Sequence, residues 1–199
     1  MNTDKAPLRC VLFDLDGTLL DTAPDLGAAV NHVLISEGFA PLPEAIIRQT
    51  TSHGALGLLK AGLGEDLLEE LGASRLRTAL LDFYAAHLCV GTRPYEGMLD
   101  LIEWLDEKKL PWGIVTNKPG FLTKPLLAAL PELASCGVTV SADTLPVRKP
   151  DPAPMYFACE QLGVDATHCL YVGDHVRDIE AGRNAGMRTA VAGDRKSVV

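Results

Sequence analysis

Asp14 and Asp16 stand one residue apart where an apolar run, Cys10 to Phe13, stops, and Gly17 and Thr18 follow directly. An apolar run closed by a glycine-containing turn reads as a buried strand of a parallel sheet. Strand periodicity turns both carboxylates to one side at the strand's carboxyl end, the end where open α/β sheets hold their ligands. Two carboxylates this close repel, so the arrangement calls for a bound cation or a retained proton. For D-x-D alone, a strand followed by an acidic loop is an equal reading. The longer string D-L-D-G-T-L-L-D, Asp14 to Asp21, carries more information than the pair.

Three other places repeat the pattern of chemistry at a strand end. The apolar stretch Trp112 to Val115 runs into Thr116-Asn117-Lys118, where a hydroxyl and free backbone N–H groups could receive phosphate oxygens. A turn-forming role serves Asn117 equally well. In Arg148-Lys149-Pro150-Asp151-Pro152 a lysine would ordinarily be a solvated loop charge, but the prolines beyond it restrict the loop. Finally, Cys169 to Val172 leads into Gly173-Asp174, with Asp178 on the opening turn of the next helix. An acid there also suits the helix macrodipole.

The elements that must position these groups alternate. Helical spacing of Leu26, Val30, Val33 and Leu34 ends at Gly38. Short helical pieces follow from Leu42 to Thr50, Ala55 to Leu63 and Leu67 to Leu71. The turn Ser52-His53-Gly54 lies between them, and Ser74 is placed to cap a helix running to Leu88. No strand is evident from Thr22 to about Val90. From Pro94 onward, helix and strand take turns. A helix carries Met98, Leu101, Ile102 and Leu105. A second spans Phe121 to Leu130 with Pro125 in its first turn, and Val138 to Val140 is a strand. Helices over Pro154 to Leu162 and Asp178 to Ala185 lead to a last strand, Thr189 to Ala192. Such alternation predicts right-handed crossovers and a parallel sheet covered on both faces.

The string at Asp14 to Asp21 resembles the first motif of the haloacid dehalogenase-like phosphatase superfamily. Thr116-Asn117, Lys149 in K-P-D-P and Gly173-Asp174 with Asp178 resemble its remaining motifs, in family order. The resemblance spans Leu8 to about Ala192. It implies an α/β fold, a doubly wound parallel sheet of Rossmann-like type, with a small all-helical cap inserted: core 1–21 and 91–199, cap 22–90. It implies that Asp14 is the nucleophile and Asp16 the general acid/base. Thr116, with Asn117 beside it, contacts phosphate, and Lys149 neutralises the transferring phosphoryl group. Mg2+ is then held by the side chains of Asp14 and Asp174 and the backbone carbonyl of Asp16, with Asp178 in support. The chemistry is coherent on its own terms. A carboxylate can form an aspartyl-phosphate and so split one hard displacement into two, and a second acid can protonate the alkoxide and later deprotonate water.

D-T-A-P-D after the first motif and V-T-N-K-P in the second are similar to phosphoglycolate phosphatase-like members. R-K-P-D-P and G-D-H-V-R-D-I-E-A-G are similar to N-acetylmuramic acid 6-phosphate phosphatases as well. The expected substrate is a small phosphorylated metabolite. Substrate choice is expected in the cap, where Arg48 and His53, with Arg93 and Tyr95, are the polar groups to watch. A sugar-phosphate mutase uses the same four motifs and stays open. A non-catalytic sensor of phosphorylated metabolites has no need of a nucleophile.

The 199 residues suit one domain or a core with an insertion, and 47% are hydrophobic, enough for a sizeable core. A net charge of −8 argues against a nucleic-acid partner. The five cysteines lack C-x-x-C spacing and read as free thiols of a reducing compartment. No run approaches membrane-spanning length, and the first nine residues lack an apolar signal core. The expectation is therefore a cytoplasmic monomer or homodimer that binds neither membrane nor nucleic acid. A further expectation is that the C-terminus is truncated: Asp194 to Val199 back-translates to a short-read sequencing adapter.

Overall fold

The structure, a computed structural model, describes residues 7–193; the expectation about the tail falls on residues 194–199, outside them. The chain opens with strand β1 (Cys10–Phe13) and the two-residue β2 (Leu20–Asp21). Helices α1 (Ala23–Ser36), α2 (Glu44–Thr50), α3 (Gly54–Leu63), α4 (Glu65–Glu70) and α5 (Ala73–Ala86) follow. Then come β3 (Arg93–Pro94), α6 (Met98–Glu107), β4 (Trp112–Val115), α7 (Gly120–Ala128) and β5 (Val138–Val140). The last elements are α8 (Ala153–Leu162), β6 (Cys169–Gly173), α9 (Val176–Asn184) and β7 (Arg188–Val191).

The chain divides into two compact units. One holds the residues through Leu19 together with Pro94–Gly193, the other Leu20–Arg93. The first is a five-stranded sheet in the order β5-β4-β1-β6-β7, with every pairing parallel. From β1 the chain steps outward through β4 to β5, then returns to the other side of β1 for β6 and β7. The order therefore reverses beside β1, which makes the crevice at its carboxyl end the place for a ligand. Both faces of the central strands are buried. Leu12, Val115, Tyr171 and Cys169 share a cluster with Met155 and Ala158 of α8, Ala181 of α9 and Ala185 just beyond it. On the opposite face the Phe13 and Trp112 rings meet edge to face at 6.2 Å. Gly113 lies in the interior of β4 because a Cβ there would sit 2.5 Å from the Val138 side chain.

The second unit is a helical bundle in which α1, α3 and α5 pack on one another. Small residues set the spacing. A Cβ on Gly62 would lie 2.7 Å from Leu34 and one on Gly27 would lie 2.9 Å from Ile47. Asn31 holds the next loop by accepting from the Leu42 amide at 2.7 Å and donating to its carbonyl at 3.3 Å. Asp25, in the first turn of α1 and buried, accepts from the Gly91 amide (2.6 Å) and from the Thr92 amide (3.0 Å) and hydroxyl (2.6 Å). The start of the unit is thereby fastened to its end.

Several details differ from the sequence reading. Gly72, in the left-handed region, precedes α5, so Ser74 lies inside the helix rather than capping it, and the helix stops at Ala86. Pro125 sits in the second turn of α7 rather than the first. It is tolerated because Phe121, whose carbonyl loses a donor, is solvent-exposed. Helix α9 begins at Val176, two residues before Asp178, because His175 serves as its cap. Three of the cysteines are buried, while Cys89 and Cys136 are half-buried. Among the described residues no helix is long and apolar enough to cross a membrane.

Candidate active site

Asp14 is the first residue beyond β1 and is held at the strand end by its own amide, which donates to the Val172 carbonyl at 2.9 Å. The residue is 2% exposed. The Oδ1 atom accepts from the Leu15 amide at 2.7 Å and faces the Lys149 ammonium at 2.9 Å. Burial pushes the Asp14 carboxyl up to about 6, against the pull of the Lys149 charge, and the Asp178 and Asp16 carboxylates add to the rise.

Lys149 has no solvent exposure on its side chain. Its Nζ meets Asp14 Oδ1 at 2.9 Å, Asp178 Oδ1 at 2.7 Å, the Val115 carbonyl at 2.8 Å and the Tyr171 hydroxyl at 2.7 Å. The Tyr171 hydroxyl donates to the same Val115 carbonyl at 2.8 Å. The lysine thus joins the ends of β1, β4 and β6. Its loop is fixed from outside as well, since Asn117 Nδ2 donates to the Lys149 carbonyl at 2.9 Å. Asn117 Oδ1 is buried without a hydrogen-bond partner. Asn117 therefore ties the lysine loop to the end of β4.

Thr116 follows β4, is buried, and continues the ladder to β5 through its amide, 2.8 Å from the Val140 carbonyl. Its Oγ1 accepts from the Lys118 amide at 3.1 Å, which leaves its hydroxyl proton available as a donor. Asp178, fully buried, accepts from the His175 amide through Oδ2 at 2.9 Å while Oδ1 pairs with Lys149. His175 Nδ1 accepts in turn from the Arg177 amide at 3.2 Å, and the two residues form a reciprocal cap on α9. Gly173 is required by this packing, because a Cβ there would lie 2.4 Å from the Asp178 Cβ.

One oxygen from each of Asp14, Asp174 and Asp178 lies within 4.8 Å of the other two. Two buried carboxylates, Asp14 and Asp178, share the Lys149 ammonium, and the Asp174 carboxylate converges on the same point. Oxygen donors of this kind fit a hard divalent cation. Thr18 steadies Asp174 by donating from Oγ1 to Oδ1 at 3.4 Å.

Asp16, one-fifth exposed, turns its carboxylate to Lys118, whose Nζ lies 3.0 Å from Oδ1 and 3.4 Å from Oδ2. Lys118 and Tyr171 were both missed as site residues by the sequence reading. A lysine directly before a proline at a strand end looks like any loop charge, and Tyr171 looks like core. Within the helical unit, Arg48 is engaged by Asp21 Oδ2 and Glu44 Oε1, each at 2.8 Å. His53 is exposed and precedes α3.

The model of the haloacid dehalogenase-like hydrolase family matches residues 11–192. The chain is 41% identical over 183 residues to the N-acetylmuramic acid 6-phosphate phosphatase of Pseudomonas aeruginosa, covering 92% of this chain and 80% of that protein. It is also 41% identical over 184 residues to the phosphoglycolate phosphatase of Xylella fastidiosa, with the same coverage. Its fold is similar to the crystal structure of a predicted phosphoglycolate phosphatase from Haemophilus somnus. The TM-score is 0.78 at 27% identity, over 92% of this chain and 84% of that one. With a buried carboxylate, a buried lysine and a carboxylate cluster gathered at the ends of parallel strands, the chain belongs to the haloacid dehalogenase-like hydrolases.

Proposed function

We propose that this protein is a magnesium-dependent phosphomonoesterase acting on a small phosphorylated metabolite. Phosphoglycolate is the first candidate, and N-acetylmuramic acid 6-phosphate the second on the strength of the 41% identical Pseudomonas relative. The observation that carries the reading is the environment of Asp14: a buried carboxylate at the end of β1 whose Oδ1 accepts from the Leu15 amide and faces the Lys149 ammonium. In this reading a carboxylate oxygen of Asp14 bonds to phosphorus as the ester P–O bond breaks, and the departing alkoxide takes a proton from Asp16. Asp16 then accepts a proton from water as that water opens the aspartyl-phosphate, releasing inorganic phosphate and regenerating the Asp14 carboxylate. The Thr116 hydroxyl donates to a phosphate oxygen, and the Lys149 ammonium offsets charge that builds on the phosphoryl group. Asp14 and Asp174, with the Asp16 carbonyl, would hold the magnesium ion, which supplies charge neutralisation at the phosphoryl oxygens; Asp178 orients its neighbours.

We assign substrate choice to the helical unit, with Arg48 and His53 as its candidate contacts. The protein acts in the cytoplasm as a monomer or homodimer. The test is turnover of a panel of phosphate monoesters, p-nitrophenyl phosphate included, in magnesium. Asp14→Asn abolishes turnover, and hydroxylamine-labile label from a 32P-ester accumulates in Asp16→Asn. Full activity of Asp14→Asn would refute the mechanism. Arg48→Ala and His53→Ala shift the ranking of natural esters while sparing p-nitrophenyl phosphate; equal losses on every ester would remove them from substrate selection.

A further inference from the structure

We infer that Lys118 is a positioning residue for Asp16: its ammonium fixes the acid/base carboxylate for proton transfer, an assignment that rests on the phosphomonoesterase reading above. Four observations carry it. The Lys118 side chain is 4% exposed, against 19% for Asp16, so the pair is removed from the solvent screening that makes surface ion pairs weak. The ammonium spans the carboxylate, 3.0 Å from one oxygen and 3.4 Å from the other, which restricts rotation of the Asp16 side chain. The Lys118 backbone is itself immobilised. Its amide donates to Thr116 Oγ1 at 3.1 Å, and its carbonyl accepts from the Ala142 amide at 3.0 Å and the Thr123 hydroxyl at 3.3 Å. Finally, the hydroxyl that receives its amide belongs to Thr116, so one short segment orients both the phosphate-side donor and the acid/base.

Of the two flexible carboxylates at the end of β1, Asp14 is locked by Leu15 and Lys149, and Lys118 supplies the corresponding restraint for Asp16. A proton moves efficiently only across a held hydrogen-bond distance. Without Lys118 the carboxylate would sample rotamers that face away from the reacting oxygen. The loss falls on steps in which Asp16 moves a proton and spares those in which it does not. Transfer from p-nitrophenyl phosphate needs no proton, because nitrophenolate leaves as an anion. Transfer from an alkyl phosphate needs the Asp16 proton on the leaving oxygen. Breakdown of the aspartyl-phosphate needs Asp16 to take a proton from the attacking water.

Rapid-quench measurements on the full chain in magnesium separate these steps. In Lys118→Met, phosphoenzyme forms from p-nitrophenyl phosphate within about 2-fold of wild type. Breakdown slows by at least about 10-fold, and so does formation from an alkyl phosphate, a fraction of the 10²–10⁴-fold that general acid–base catalysis supplies. The phosphoenzyme then accumulates, and a nitrophenolate burst approaches one per enzyme. Lys118→Arg, which keeps the charge, restores breakdown. Should Lys118→Met not fold, Lys118→Gln carries the same comparison. Equal slowing of formation from both esters with breakdown unchanged would overturn the assignment and place Lys118 in substrate binding. A wild-type protein that turns over no ester and forms no aspartyl-phosphate would instead overturn the phosphatase reading itself.

Discussion

The Lys149 ammonium lies 2.7 Å from Asp178 Oδ1, and neither side chain has any exposure to solvent. The same carboxylate caps α9 through its other oxygen, so Asp178 serves helix and lysine at once. Asp178→Ala removes both interactions and is expected to cost about 2–4 kcal/mol of stability, short of the largest buried-pair losses because Lys149 keeps Asp14. Asp178→Asn, which retains a capping oxygen, loses less. Urea denaturation compares them, and equal losses in the two variants would mean that the cap contributes nothing.

Asp14 gives stability a pH dependence of definite sign. Its folded carboxyl titrates at about 6, above the ordinary 3.8, chiefly because it is buried. The folded state therefore holds a proton that the unfolded chain releases. The associated stability is complete below the unfolded value and is lost as pH rises through the folded one. Asp14→Asn cannot ionise, so in chelator the variant should gain on wild type between about pH 4 and pH 7, by on the order of 3 kcal/mol. Parallel pH profiles of the two proteins would show that Asp14 is not desolvated.

The carboxylate cluster predicts metal-linked stability. Magnesium should raise the melting temperature of the wild type by mass action on the folded state and should do so far less in Asp174→Ala. Titration calorimetry reads the same difference without any substrate. An unchanged response in Asp174→Ala would exclude this aspartate from the metal site.

In the helical unit, Asp25→Ala leaves the Gly91 and Thr92 amides and the Thr92 hydroxyl without their acceptor. The expected loss is about 3 kcal/mol, since hydrogen bonds to a buried carboxylate are strong and its orphaned donors are costly. Hydrogen exchange at Gly91 and Thr92 should accelerate in step. Unaltered exchange there would mean that the clamp is not what orders this segment.

The sequence made the architecture legible wherever burial was one-dimensional. Apolar runs such as Trp112–Val115 and Cys169–Val172 can be little else than inner strands, and their ends carry polar groups of the site, Thr116 after the first and Asp174 after the second. Residues with two plausible roles were harder to read. Asp25 occupies the position of an ordinary first-turn acid, yet its partners lie 66 and 67 positions away. The two-residue strands Leu20–Asp21 and Arg93–Pro94 are too short to leave any periodicity. Ser74 is a good cap by type, but Gly72 alone could adopt the left-handed backbone that starts the helix two residues earlier. Lys118 was hidden for a different reason: whether a lysine is solvated or buried against a carboxylate depends on what folds over it.

The clamp between Asp25 and Gly91–Thr92 also bears on how such a chain can change over time. A segment whose beginning and end are fastened to each other behaves as a cassette, joined to its host by two adjacent stems. Lengthening α3, replacing α4 or rebuilding the loop at His53 leaves the spacing of those stems untouched, and with it the register of the sheet strands. Under the proposed function, selection on substrate choice can then proceed by rewriting the cassette, while the residues proposed for phosphoryl transfer stay fixed at the strand ends.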